Sequence, residues 1–242
     1  MKLIADLHAH TPNYETLKIA AGEMAKSAKN EGIKYLALTD HAPKTGNKYN
    51  SYLFDDEDIG EIDGVTILRG AEADIMNFEG ELAFDKEVFD NCHIVLAALH
   101  TYKLEPKDKE THTVCLVSAL ANESVDILAH PGDAPFDFDE EAVVMAAKEY
   151  GKALEFNELS LRDEACHEKN ARLLALCKKH GCLIAVSSDA QRPDMVGKCE
   201  KILKFVKNAG IEDKYIVNLT KENLYDFLKS RGKQQSLLKN IE

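Results

Sequence analysis

A chain of 242 residues, 45% hydrophobic and 30% charged, has the composition of a soluble globular protein with ample material for a sizeable core. Its formal charge of −12 disfavours binding along a nucleic-acid duplex, which requires a basic footprint. No apolar run approaches bilayer-spanning length, no cleavable leader precedes the first apolar stretch, and the six cysteines form no Cys-x-x-Cys pair; a cytoplasmic protein with reduced thiols and no membrane partner is expected.

Short apolar runs rich in β-branched residues recur along the chain, each followed by a polar turn and a longer amphipathic stretch. Strands are expected at 2–5, 34–38, 65–68, 94–98, 125–128, 153–156 and 183–186, with a possible addition at 215–217. Helical patterns lie between them, among others at 17–29, 113–121, 140–149 and 167–179, the last closed by His180-Gly181. The acidic stretch 55–58 reads as a solvated helix start. Alternating β and α units imply a mainly parallel sheet, and seven of them without a Gly-rich first turn point to an α/β fold closed into a barrel rather than an open doubly wound sheet. With no linker-like segment, residues 1–242 are expected to form one domain.

The residues at the exits of the expected strands carry the chemistry. His8 and His10 come after the first, Asp40-His41 after the second, Glu72 after the third, His100 after the fourth, His130 after the fifth, Asn157 after the sixth and Asp189 after the seventh. A parallel barrel gathers its C-terminal strand ends at one mouth, so these residues would meet in one cleft. Five of the nine histidines stand at such exits. The other four (His93 before a strand, His112 and His167 near helix starts, His180 at a helix end) are expected to serve packing or capping.

Asp6-Leu7-His8-Ala9-His10-Thr11, Thr39-Asp40-His41, Gly70-Ala71-Glu72-Ala73, Ala98-Leu99-His100, Ala129-His130-Pro131-Gly132 and Ser188-Asp189 together resemble the motifs of the polymerase and histidinol phosphatase (PHP) superfamily, in particular its single-domain YcdX-like bacterial phosphatases. The resemblance runs nearly end to end. It implies a distorted (β/α)7 barrel with a metal cluster at the C-terminal mouth. It also implies that His8, His10, Glu72 and Asp189 hold one metal, Glu72, His100 and His130 a second, and that Glu72 bridges them. Three-metal relatives use further histidines where this chain has Thr16, His41 and Gln191. Tyr14 or Glu15 could stand in for Thr16, but a weak or absent third metal is expected.

Imidazole and carboxylate donors without thiolate suit zinc, manganese or iron. Two such ions would activate a water as hydroxide for attack on a small phosphomonoester, the expected substrate. His41 would hold a metal or protonate the departing alkoxide. Asp6 would orient an imidazole. Lys44, Lys103, Arg162 and Arg192 would grip phosphate, and Gln191 and Asn157 would line the substrate pocket. Two other readings stand beside this one: a metal-binding regulatory or assembly module of PHP fold without turnover, and an amidohydrolase-like carbon–nitrogen hydrolase, although such barrels add a metal-bridging lysine for which no strand end here supplies a counterpart.

Overall fold

The computed structural model describes residues 2–12, 17–41, 59–83, 86–133, 135–233, 239 and 241. Tyr14, Glu15, Thr16, Lys44 and the acidic stretch 55–58 lie outside the described residues. In chain order the elements are β1 (Ala5–Asp6), α1 (Leu17–Glu31), β2 (Tyr35–Leu38), β3 (Glu61–Ile62), β4 (Val65–Asp74), α2 (Lys86–Asp90), β5 (Ile94–Ala98), α3 (Lys109–Ala121), β6 (Ile127–Leu128), α4 (Glu140–Glu149), β7 (Ala153–Asn157), α5 (Glu164–His180), β8 (Leu183–Ser187), α6 (Glu200–Ala209) and α7 (Lys221–Ser230).

Seven strands pair in parallel in the order β1-β2-β4-β5-β6-β7-β8, and the short β3 folds back antiparallel on β4. The sheet nearly closes on itself. At the seam between β1 and β8, Ala9 bridges Ala190, and the segment after α6 fills the remaining gap: the Asn218 side chain donates to Ala5 O at 2.7 Å and Val186 O at 2.6 Å, while its Oδ1 accepts from Val186 N at 3.1 Å. One amide thus satisfies backbone groups of both edge strands that burial would otherwise leave unpaired. The possible strand at 215–217 is here reduced to a bridge between Ile216 and Ile184.

The seven expected strands are present, but β4 is longer than its apolar run suggested. It continues through Arg69-Gly70 to Asp74, so Glu72 lies within the strand rather than after it. Gly70 permits this, because a Cβ there would stand 2.7 Å from Thr39 Cγ2 and 2.8 Å from Ile94 Cγ2. Every parallel strand sends small or branched side chains into one cluster: Ala5, Ala37, Leu68, Ile94 with Leu96, Ile127, Ala153 and Ala185. Leu224, Phe227 and Leu228 of α7 pack against it and plug the base of the barrel. A larger cluster lies between the outer face of the sheet and the helices, so the core is two concentric layers. Helix α5 shows how the connections are set: the Asp163 side chain accepts from Ala165 N at its start, and Gly181 at φ 68° ends it in the left-handed conformation.

Candidate metal centre

Period-two alternation on β4 puts Glu72 and Asp74 on one face, and the same alternation on β7 does so for Glu155 and Asn157. Glu72 is the hub. Its Oε2 lies 3.4 Å from His8 Nε2, 3.4 Å from His10 Nε2 and 3.2 Å from His41 Nδ1. Its Oε1 lies 3.0 Å from His130 Nε2 and 3.6 Å from His100 Nε2. Asp189 Oδ1 adds a second carboxylate beside the first pair, 3.6 Å from His8 Nε2 and 3.5 Å from His10 Nε2. Five imidazoles from four strand exits therefore converge on a carboxylate that is 1% exposed. Donor atoms of His8, His10 and Glu72, and again those of His41, Glu72 and His100, lie within 4.8 Å of one another, a spacing that can hold a metal ion. All six cysteines are free and buried.

Burial alone would raise the Glu72 carboxyl, but the charge of His8 and the hydrogen bonds from His130 and His8 hold it well below the usual carboxylate range. Burial would lower His8, yet Glu155, Asp189 and Glu72 push it well above an ordinary histidine. His130 rises to about 10 against the same desolvation, mainly through its bond to Glu72. His41 is lowered, by burial and by the like charge of His10, against the pull of Glu72.

Two of these rings, His8 and His100, are aimed by an outer carboxylate. His8 Nδ1 donates to Glu155 Oε1 at 2.8 Å, which turns Nε2 toward Glu72 and Asp189. Glu155 also accepts from His130 N at 2.9 Å and from the Ser187 hydroxyl. His100 Nδ1 donates to Asp74 Oδ1 at 2.8 Å. The Tyr102 hydroxyl donates to that same oxygen at 2.7 Å; burial and this bond push its pKa up, so it stays a donor. His130 and Asp189 sit at φ 30° and 51°, left-handed conformations that favour glycine, and surrounding bonds impose them on two residues of the cluster.

The remaining expected site residues divide. Asp6 orients no imidazole ring: its carboxylate accepts from Ser188 N at 3.1 Å, Ser188 Oγ at 2.6 Å and Gly197 N at 2.9 Å, and so fixes the turn that presents Asp189. Asn157 is 1% exposed; its Nδ2 donates to Glu155 and Asp189 at 3.3 Å and its Oδ1 accepts from Ser160 N at 2.7 Å. Gln191 donates to Asp189 Oδ1 at 2.9 Å. Lys103 stands on the rim, 3.4 Å from Asp74 Oδ2. Arg192 is held by Asp194 through two bonds of 3.0 and 3.1 Å. Arg162 is exposed at the end of the turn Ser160–Arg162, and no ion pair joins it to a described residue of the cluster. The four remaining histidines have structural partners, as in His112, which accepts from Lys107 N at 2.7 Å and donates to Asp137 O at 2.7 Å.

Asp74, Glu155 and Tyr102 were missed in the sequence. A signal existed for the two carboxylates: each stands two residues from an expected site residue on the same strand.

The family model for the PHP domain matches residues 6–229. The chain belongs to this family. A probable phosphatase of Thermoanaerobacter sp. (strain X514) is 36% identical over 239 residues, covering 97% of this chain and 98% of that one. The probable phosphatase YcdX of Escherichia coli O1:K1 / APEC is 33% identical over 231 residues, 94% of each chain. Among solved structures, the histidinol phosphate phosphatase of Lactococcus lactis subsp. lactis Il1403, in complex with zinc, L-histidinol and phosphate, superposes with a TM-score of 0.60 at 18% identity over 88% of this chain and 95% of that one; this likeness concerns the fold.

Proposed function

We propose that this PHP-family chain, a single domain, is a metal-dependent phosphoesterase that hydrolyses a small phosphomonoester at a binuclear centre. One observation carries the reading: the two oxygens of buried Glu72 face different imidazole sets, His8 and His10 on Oε2, His100 and His130 on Oε1. The donor set fits borderline divalent cations such as zinc or manganese. His8, His10, Glu72 and Asp189 would hold one ion and Glu72, His100 and His130 the other. Bound there, two cations supply charge that neutralises a phosphate and lowers the pKa of water. The names of the 36% and 33% identical relatives point to the same reaction.

The chain's own groups do the rest. Glu155 and Asp74 keep the Nδ1 atoms of His8 and His100 occupied, so the opposite nitrogens face inward. His41, 41% exposed and the most open imidazole of the cluster, is placed to pass a proton to the departing alkoxide. Lys103 offers a charge to a phosphate oxygen at the rim. A third metal is weak or absent in this reading, because Gln191 stands where three-metal relatives carry a histidine and an amide oxygen is a weaker ligand than an imidazole.

Protein purified without chelator should carry about two equivalents of zinc, manganese or iron and release phosphate from phosphomonoesters. Near-zero metal and no turnover on reconstitution would remove the proposal, and three tightly held ions would overturn the reading of Gln191. Phosphodiesters and cyclic amides belong in the same screen, since preferential turnover of an amide would favour carbon–nitrogen chemistry.

A further inference from the structure

Tyr102 is 61% exposed, the most open of the large apolar side chains among the described residues. Tyr102 lies on the rim of the cluster and is held rigidly there. Its ring stacks on His100 with centroids 4.8 Å apart and planes 17° apart, and its hydroxyl is tied to Asp74, a carboxylate 2% exposed. Its ring stands at 88° to that of His41, with centroids 6.2 Å apart, and His41 is itself stacked on His10 at 4.8 Å. The ammonium of Lys103 lies 5.5 Å from the Tyr102 centroid. The result is a right-angled corner of two partly exposed rings beside the converging donors, with a cation on the same rim.

An apolar ring left in water gains by being covered, and one whose rotamer is already fixed loses little entropy when it is. We infer that Tyr102 is the specificity-determining residue of the mouth: with His41 it receives a planar leaving group by stacking, so the site prefers nucleoside or aryl phosphomonoesters to saturated sugar phosphates. This rests on the phosphoesterase reading. The phosphate would lie toward the Glu72 cluster and Lys103, and the planar group against the corner. Stacking of a base against an aromatic side chain is strong enough for a preference of about tenfold.

The test compares adenosine 5′-monophosphate with ribose 5-phosphate, which differ by the base, on the metal-loaded full chain. Calorimetric affinities are measured alongside hydrolysis rates. Wild type should bind the nucleotide about tenfold more tightly. Compared at saturating metal, Tyr102→Leu should bring that ratio near unity, and Tyr102→Phe, which loses the same hydroxyl but keeps the ring, should preserve it. No preference in wild type, no binding of either compound, or equal loss of the ratio in Tyr102→Phe and Tyr102→Leu would each overturn the inference, the last by assigning the effect to the hydroxyl and its Asp74–His100 partners. Stacking-dependent binding without hydrolysis would support the corner while removing the phosphoesterase reading; hydrolysis without a planar preference would do the reverse.

Discussion

At the base of the barrel, buried charges lie beside opposite charges and backbone carbonyls; at the mouth, like groups face one another. Asp126 at the base accepts from Val95 N at 2.8 Å and pairs with Lys233 at 2.6 Å, and Arg231 Nε lies 3.5 Å away. Lys152 donates to the carbonyls of Asn122 and Val125 at 2.9 and 2.5 Å, and Arg231 reaches those of Tyr150, Glu123 and Val125. These bonds pin α7 and its C-terminal turn to the loops before β6 and β7. At the mouth, by contrast, His8 Nε2 and His10 Nε2 approach to 3.1 Å, and both point at Glu72 and Asp189. Imidazoles crowded against one another around two carboxylates make a poor lock but a good ligand set. The base is built to hold the chain together, the mouth to hold something else.

The sharpest break between the two ends is Glu72→Gln. It removes the charge shared by five imidazoles, and metal content and hydrolysis should fall by more than the roughly 10–100-fold that loss of an outer partner costs. Retention of both, by elemental analysis and phosphate release, would refute the hub role. The counterpart at the base is Asp126→Ala, which leaves Lys233 and Arg231 without their carboxylate. It should lower unfolding free energy by about 3–5 kcal/mol in a denaturant titration while metal stoichiometry stays unchanged. Loss of metal in that variant would mean the two ends are coupled.

Much of this contrast was legible in the chain. Strand alternation was visible because parallel strands buried on both faces are continuous apolar runs. The convergence of His8, His10, His41, Glu72, His100, His130 and Asp189 was visible because His, Glu and Asp at run ends have few structural reasons to recur there. The end of the third strand was not visible: the apolar run stops at 68, whereas β4 runs on through Gly70, which close packing against Thr39 and Ile94 requires, and so Glu72 lies inside the strand. Partners set by closure of the barrel were invisible. Glu155 meets His8 across 147 residues, and Asp6 meets Ser188 across 182, which is why strand-face reasoning gave Asp6 an imidazole to orient.

Outer partners give a smaller effect. Glu155→Gln keeps a hydrogen bond to His8 but removes the charge, and Asp74→Asn does the same for His100. Each should weaken metal affinity by about 10–100-fold in a chelator competition without unfolding the chain. If Glu155→Gln matched wild type, His8 would be oriented by packing alone.

The smallest expected effect is a pH slope, and its sign separates the two states of the mouth. In metal-free protein His130 titrates at about 10, raised by Glu72 against burial from the ordinary 6.5. A folded-state pKa above the unfolded one gives stability that is fully present below about 6.5 and lost as pH rises through about 10. Glu72 is depressed from 4.5, so its contribution is present above that value and lost as pH falls through the lower one. Metal-free protein should therefore have its highest Tm between about pH 4.5 and 6.5 and lose stability toward pH 10. His130→Gln should flatten that alkaline limb. A metal demands neutral imidazole, so loaded protein should gain from the deprotonation that costs the metal-free form, and its Tm should hold or rise from about pH 6 to 8. Equal alkaline slopes in the two forms would show that the converging rings do not exchange their protons for an ion.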